Sequence, residues 1–180
     1  MSERAPQTGP NLYLIGFMGV GKSLIGRQLA RILRMEFIDS DAAIESNAGM
    51  PITEIFAQQG ESAFRSMERD FIESGHPERG TIVSCGGGLP VQPGMAELLR
   101  KKGIVVCLFA HPQTVLQRTM GNPKRPLLNV PDPEARIREL MEEREPIYKK
   151  CGIGVSTEGR PIGDIVGSVV RIYRREARDK

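Results

Sequence analysis

The stretch Gly16-Phe-Met-Gly-Val-Gly-Lys-Ser23 decides the fold. It matches G-x-x-x-x-G-K-[ST], in which glycines let backbone N–H groups turn inward around phosphate oxygens. The lysine brings a cation to the β and γ phosphates, and the hydroxyl can ligate Mg2+. From the composition of this chain such a match is expected about 0.007 times by chance, so a plain glycine-rich turn is a poor account of it. The setting agrees. The apolar run Leu12–Ile15 stands before the loop, and a helical pattern over Lys22–Leu33 follows, with Ile25, Leu29, Ile32 and Leu33 on one face. That helix adds its positive N-terminus to the phosphate site. ATP or GTP binding follows.

Outward from this loop, short apolar runs alternate with longer segments of 3.6-residue period. Leu12–Ile15, Glu36–Asp39, Thr81–Ser84, Ile104–Leu108 and Gly152–Val155 read as strands, apolar on both faces as a helix-covered parallel sheet requires. Asp132, Pro133 and Glu134 supply the N-cap, first position and first-turn acid of a helix running to about Tyr148, with Ile137, Leu140, Met141 and Ile147 as its buried stripe. Pro161–Arg178 repeats the pattern with Ile162, Ile165, Val166, Val169 and Ile172. The alternation predicts an α/β fold with a largely parallel sheet. Two stretches depart from it. Ile52–Gly75 is a charge-rich helical insertion, and Gly121–Pro131, with three prolines and two cations, reads as a mobile loop over something anionic.

Composition narrows the function classes. At 180 residues a single domain is expected, and 39% hydrophobic with 26% charged residues is ordinary for a soluble globular protein. No apolar run approaches 18 residues, and Met1–Pro10 lacks the apolar stretch of a signal peptide, so neither a membrane protein nor secretion is supported. Cys85, Cys107 and Cys151 are odd in number and far apart, which disfavours a disulfide framework or a zinc site and fits a reducing cytoplasm. The net charge of +3 resides wholly in the last ten residues, so no distributed basic face for nucleic acid is expected.

Several residues could do chemistry, and each has a plain structural alternative. Asp39 and Asp41, separated by Ser40, are the only acids at a strand end. They are either a helix N-cap with a solvated turn acid, or a pair facing the phosphate loop, one toward metal-bound water and one toward an acceptor hydroxyl. Arg65 and Glu68 share a helix face, and a surface i,i+3 pair would explain them. Arg144, among Glu142, Glu143 and Glu145, reads equally as part of a solvated face. Gly86-Gly87-Gly88 follows a strand directly, where open α/β sheets bind ligands and where missing side chains let backbone approach one.

Taken in order, GFMGVGKS, D-S-D at Asp39–Asp41, F-R-x-x-E at Phe64–Glu68, GGG at Gly86–Gly88, RPLL at Arg125–Leu128 and R-E-P-I-Y at Arg144–Tyr148 resemble the shikimate kinase family over about nine-tenths of the chain. The resemblance implies a fold like the nucleoside monophosphate kinases: a five-stranded parallel sheet flanked by helices, an acceptor-binding region over about 41–75 and a lid over about 121–131. The single domain would span 1–180, with 1–10 and 175–180 frayed. The implied reaction is Mg2+- and ATP-dependent phosphorylation of the 3-hydroxyl of shikimate, in aromatic amino-acid biosynthesis in the cytoplasm. The implied ATP contacts are Gly19, Val20, Gly21, Lys22, Ser23, Leu24, Arg118, Arg125 and Arg160. Asp41, Arg65, Gly86, Gly87, Gly88 and Arg144 would hold shikimate, and Ser23 with Asp39, through water, would hold the metal. Lys22, Arg125 and Asp41 would be the catalytic residues, with Asp41 mainly fixing attack geometry.

Two positions depart from the family pattern. Cys85 stands where a small hydroxyl residue, usually threonine, is expected, and Lys149–Gly152 lacks an acid often found there. The nearest rivals are gluconate or nucleoside monophosphate kinases of the same architecture, and a noncatalytic ATP-binding module. The paired arginines with D-x-D favour a hydroxylated carboxylate as acceptor. No leftover apolar stripe suggests a partner, so a monomer is expected.

Overall fold

Asn11–Gly16 is buried at every position, and this strand, β1, is the centre of the sheet. The structure, a computed structural model, describes residues 9–120, 128 and 130–180. The other strands are β2 (Glu36–Asp39), β3 (Thr81–Ser84), β4 (Gly103–Phe109) and β5 (Ile153–Ser156). All pairings are parallel, in the order β2-β3-β1-β4-β5. Seven α-helices are seen among the described residues: α1 (Lys22–Leu33), α2 (Ser40–Ala48), α3 (Ile52–Ser74), α4 (Met95–Lys102), α5 (Pro112–Thr119), α6 (Pro133–Cys151) and α7 (Ile162–Glu176).

The strand order matters for the site. From β1 the chain crosses through α1 to β2 on one side, whereas from β3 it crosses through α4 to β4 on the other. Right-handed crossovers in opposite directions put α1 and α4 on opposite faces. Accordingly α1 packs with α7, and α4 with α6. The carboxyl ends of β1 and β3 therefore flank the topological switch point, the place where open α/β sheets bind their ligands.

The expected strands and principal helices are present, with adjusted bounds and faces. The stripe of α1 is Ile25, Gly26, Leu29 and Leu33, and Ile32 is 53% exposed. The reason is Phe37, whose ring lies 2.4 Å from where a Gly26 Cβ would stand, so the buried face is centred nearer Gly26. In α6 the buried set continues with Tyr148 and Cys151, leaving Ile147 half-buried. The helix then closes on Gly152, so β5 begins one residue later than the apolar run suggests. In α7, Val170 and Tyr173 are buried, whereas Ile162 in the first turn is exposed and Ile172 lies at the edge of the core. At the end of the chain, Lys180 Nζ donates to the Arg100 and Gly103 carbonyls. The charged insertion is α3, broken at Gly60, which takes φ 83° and ψ 171°.

Candidate active site

Between β1 and α1 the chain turns through Gly16, Gly19 and Gly21 with φ of 133°, 77° and 99°, values that L side chains rarely adopt. At Gly16 a Cβ would lie 2.3 Å from the Leu108 carbonyl oxygen, so the loop rests directly on β4. Lys22 opens α1 and donates from Nζ to the carbonyls of Gly16 and Phe17, each at 2.9 Å. Its ammonium is thereby held against the loop whose phosphates it would meet. Val20 is buried in the core, and Leu24 is exposed.

The two aspartates take different partners. Asp39 occupies the N-cap position of α2 yet makes no side-chain cap. Its Oδ2 instead accepts from Ser23 Oγ at 2.7 Å, and Ser84 Oγ lies 3.2 Å from the same hydroxyl. A carboxylate and hydroxyls form the hard oxygen set that suits Mg2+, an ion that keeps several waters and needs few protein ligands. Asp41, in the first turn of α2, points to the glycine run: its Oδ1 lies 2.5 Å from a Cβ built on Gly86. Ser40 between them is fully buried and accepts the Gly86 N–H at 2.9 Å. The strand-to-helix junction thus separates the pair, one acid facing the phosphate loop and the other facing the loop after β3.

Arg65 and Glu68 are no surface pair. Glu68 is 1% exposed, and its Oε2 accepts from Arg65 Nη1 at 2.7 Å and from Gln92 Nε2 at 2.6 Å. Burial raises the Glu68 carboxyl to about 7 against the lowering pull of Arg65, and the Asp41 charge adds to the rise. Burial alone would lower the Arg65 pKa, but its pairing with Glu68 and Glu61 leaves it raised, so the guanidinium stays charged. Its Nε and Nη2 donate to Glu61 Oε1 at 3.2 and 2.9 Å. The same guanidinium lies 2.6 Å from a Cβ built on Gly88.

Arg144 leaves the solvated face as well. Half-buried on α6, it stands over the Phe17 ring of the phosphate loop at 5.9 Å. Four residues on, the Tyr148 hydroxyl donates to the Gly87 carbonyl at 2.6 Å. Cys85, just before the glycine run, is buried, and its N–H bonds to the Leu14 carbonyl at 3.0 Å. Burial pushes its thiol far above the ordinary range, so the residue packs as a neutral thiol.

The remaining expected nucleotide contacts are scattered. Arg118 Nη1 reaches the Gly19 carbonyl and Thr157 Oγ1, each at 3.4 Å, beside the phosphate loop. Arg160 is turned away onto α7, where it donates to Ser168 Oγ at 2.8 Å. Arg125 and most of the lid stretch lie outside the described residues. Sequence reading assigned no role to Ser40, Ser84, Gln92 or Tyr148. Ser40 and Tyr148 lay within quoted motifs, and Ser84 and Gln92 carry no local signal.

Across the switch point, the glycine-rich loop between β1 and α1, with Arg144 over its Phe17, thus faces a guanidinium and a carboxylate gathered on the glycine run after β3, an arrangement that suits a P-loop kinase with a small anionic acceptor. Known proteins narrow this class. The shikimate kinase family model matches residues 18–173, and the chain belongs to that family. A shikimate kinase from Thermus thermophilus is 44% identical over 173 residues, 96% of this chain and 94% of the relative. A structure of shikimate kinase from Acinetobacter baumannii in complex with shikimate is 35% identical, with a TM-score of 0.88 over 94% of this chain and 95% of that one. A gluconokinase structure from Sinorhizobium meliloti 1021 reaches a TM-score of 0.60 at 17% identity, which speaks to the fold alone. The chain is accordingly a phosphotransferase with shikimate kinase activity, in aromatic amino-acid biosynthesis, from a family that uses ATP and Mg2+. Among the described residues, no helix is long and apolar enough to cross a membrane.

Proposed function

We propose that this chain moves the γ-phosphoryl group of ATP to the 3-hydroxyl of shikimate using the residues gathered at the switch point. The loop backbone over Gly19–Ser23 and the Lys22 ammonium hold the phosphates, and Arg118 borders the nucleotide. Ser23 directly, and Asp39 through water, hold Mg2+, which when bound neutralises phosphate charge. Shikimate lies against Gly86–Gly88, with Arg65 and Arg144 on its carboxylate and Asp41 on its hydroxyls.

The observation that carries the acceptor half is the convergence of three separate helices on one glycine run: Asp41 at Gly86, Tyr148 at Gly87 and Arg65 at Gly88. Shikimate is a small carboxylate bearing hydroxyls, so it needs cations at one end and a hydroxyl acceptor near the other. Guanidiniums suit the first task because they donate two parallel N–H bonds to a carboxylate. The Arg65 edge facing Glu61 is suited to this, because Glu61 is 65% exposed and can return to water when another carboxylate takes its place. Asp41 orients the attacking hydroxyl and accepts its proton. Phosphoryl transfer rests mainly on positioning and charge stabilisation, so Lys22 carries more of the rate than Asp41 does. The protein acts as a cytoplasmic monomer of one domain, and a mass near 19.9 kDa independent of concentration checks the oligomeric state.

The direct test is ADP release coupled to NADH oxidation, with ATP, Mg2+ and shikimate, quinate, gluconate or AMP as acceptor. Shikimate is expected to raise the rate far above the no-acceptor background. Turnover with gluconate or AMP alone would sink the acceptor-site reading. Silence with all four from a protein that binds ATP would favour a noncatalytic nucleotide-binding module.

A further inference from the structure

Tyr148 is given no contact with substrate in the proposed function, yet it stands where that site is assembled. The side chain is 2% exposed, and its hydroxyl donates to the Gly87 carbonyl across 61 positions of sequence. Four residues earlier on the same face of α6 comes Arg144, whose positive charge pulls the Tyr148 phenol down against the burial that raises it. A carbonyl only accepts, so the hydroxyl is the donor to Gly87.

The Gly87 end of this bond lies beside the phosphate loop. A Cβ built on Gly87 would lie 3.7 Å from the Gly16 oxygen and from the Met18 nitrogen, and 3.9 Å from Tyr148 Oη. Arg144, on the same helix as Tyr148, rests on Phe17 of that loop. We infer that Tyr148 is a positioning residue: its hydroxyl bond to Gly87 holds the glycine loop to the helix that carries Arg144, beside the phosphate loop, and so sets where shikimate sits with respect to the γ-phosphate. This rests on the assignment of Arg144 and Gly86–Gly88 as shikimate contacts. A buried tyrosine that merely fills space would need only its ring, so removing the oxygen alone separates the two roles.

The experiment is steady-state kinetics on Tyr148→Phe, Arg144→Ala and the double variant, with thermal melting of each. Tyr148→Phe keeps the ring and is expected to raise KM for shikimate by about fivefold, the size of one lost hydrogen bond. KM for ATP should stay within about twofold, which also reports that the protein is folded. In the Arg144→Ala background the same substitution should do markedly less, because the hydroxyl acts through the placement of the helix that carries Arg144 against the glycine loop. An unchanged KM for shikimate in Tyr148→Phe, with or without a lower melting temperature, overturns the inference, and so do effects that simply multiply in the double variant. If Arg144→Ala itself leaves KM for shikimate unchanged, the acceptor-site assignment has failed instead.

Discussion

Replacing Glu68 by glutamine tests the electrostatics of the acceptor site through stability, without any assumption about substrate. The Glu68 carboxyl is 1% exposed, shares its partners Arg65 and Gln92 on one oxygen, and is raised by burial from 4.5 to about 7. The folded chain therefore holds this proton more tightly than the unfolded chain does. The associated stabilisation is fully present below pH 4.5 and is lost as the pH climbs through 7. A pKa difference of about 2.5, at about 1.36 kcal/mol for each, corresponds to ~3 kcal/mol. Glu68→Gln keeps the shape and an acceptor oxygen for Arg65 but cannot titrate. Urea unfolding of both proteins from about pH 4.5 to about pH 8 measures the effect as wild-type minus variant stability. That difference should fall by ~3 kcal/mol across the range. A difference flat to within about 0.5 kcal/mol would refute the reasoning, because Arg65 and Gln92 would then outweigh the cost of burial and keep Glu68 ionised throughout.

Four further outcomes follow from the same geometry. Arg65→Ala should raise KM for shikimate by about 100-fold with KM for ATP within about twofold, as expected for two lost charge-assisted hydrogen bonds remote from the nucleotide; a collapse in ATP affinity would show the residue misplaced. Gly88→Ala has an undemanding backbone at φ −86° but sets a Cβ 2.6 Å from Arg65 Nη1, so kinetics should show KM for shikimate raised about tenfold while the melting temperature hardly moves. Gly87→Ala meets no protein atom closer than 3.7 Å, so unfolding curves should match the wild type while KM for shikimate rises by at least about fivefold if the acceptor lies against this residue. Asp39→Asn should raise the Mg2+ concentration for half-maximal rate by about tenfold, read from a metal titration at fixed ATP.

What was legible in the sequence was what is local. The phosphate loop, its flanking strand and helix and the bounds of β2 and β3 depend on residues within a few positions of one another. The acceptor site does not. Arg65 and Glu68 have the spacing of a surface ion pair, and only Gln92, 24 residues away, together with the loop after β3, makes Glu68 a buried acid. Arg144 sits among three glutamates in sequence, yet in space it lies on Phe17. The helices α4 and α5 have eight residues each, too few for a 3.6-residue period to stand out. Ile32 failed for a subtler reason: the buried face of α1 is shifted by a close glycine–aromatic contact with Phe37 that no periodicity encodes.

The glycine run shows why spacing could locate the site but not explain it. Three consecutive glycines invite a conformational account, yet none of Gly86, Gly87 and Gly88 is among the glycines of positive φ. Their backbones would accept alanine, so the constraint is room. At Gly86 a Cβ would meet Asp41 at 2.5 Å and Glu68 at 3.1 Å, and at Gly88 it would meet Arg65. These two glycines are small because the site's own charged groups are packed against them. Gly87 differs, since its nearest protein neighbours would leave a Cβ in ordinary van der Waals contact. Nothing in the folded chain requires glycine there. Under the proposed function, a ligand pressed against the Gly87 backbone, between the phosphate loop and the two arginines, would supply a constraint that the folded chain does not, and the Gly87→Ala kinetics read it directly.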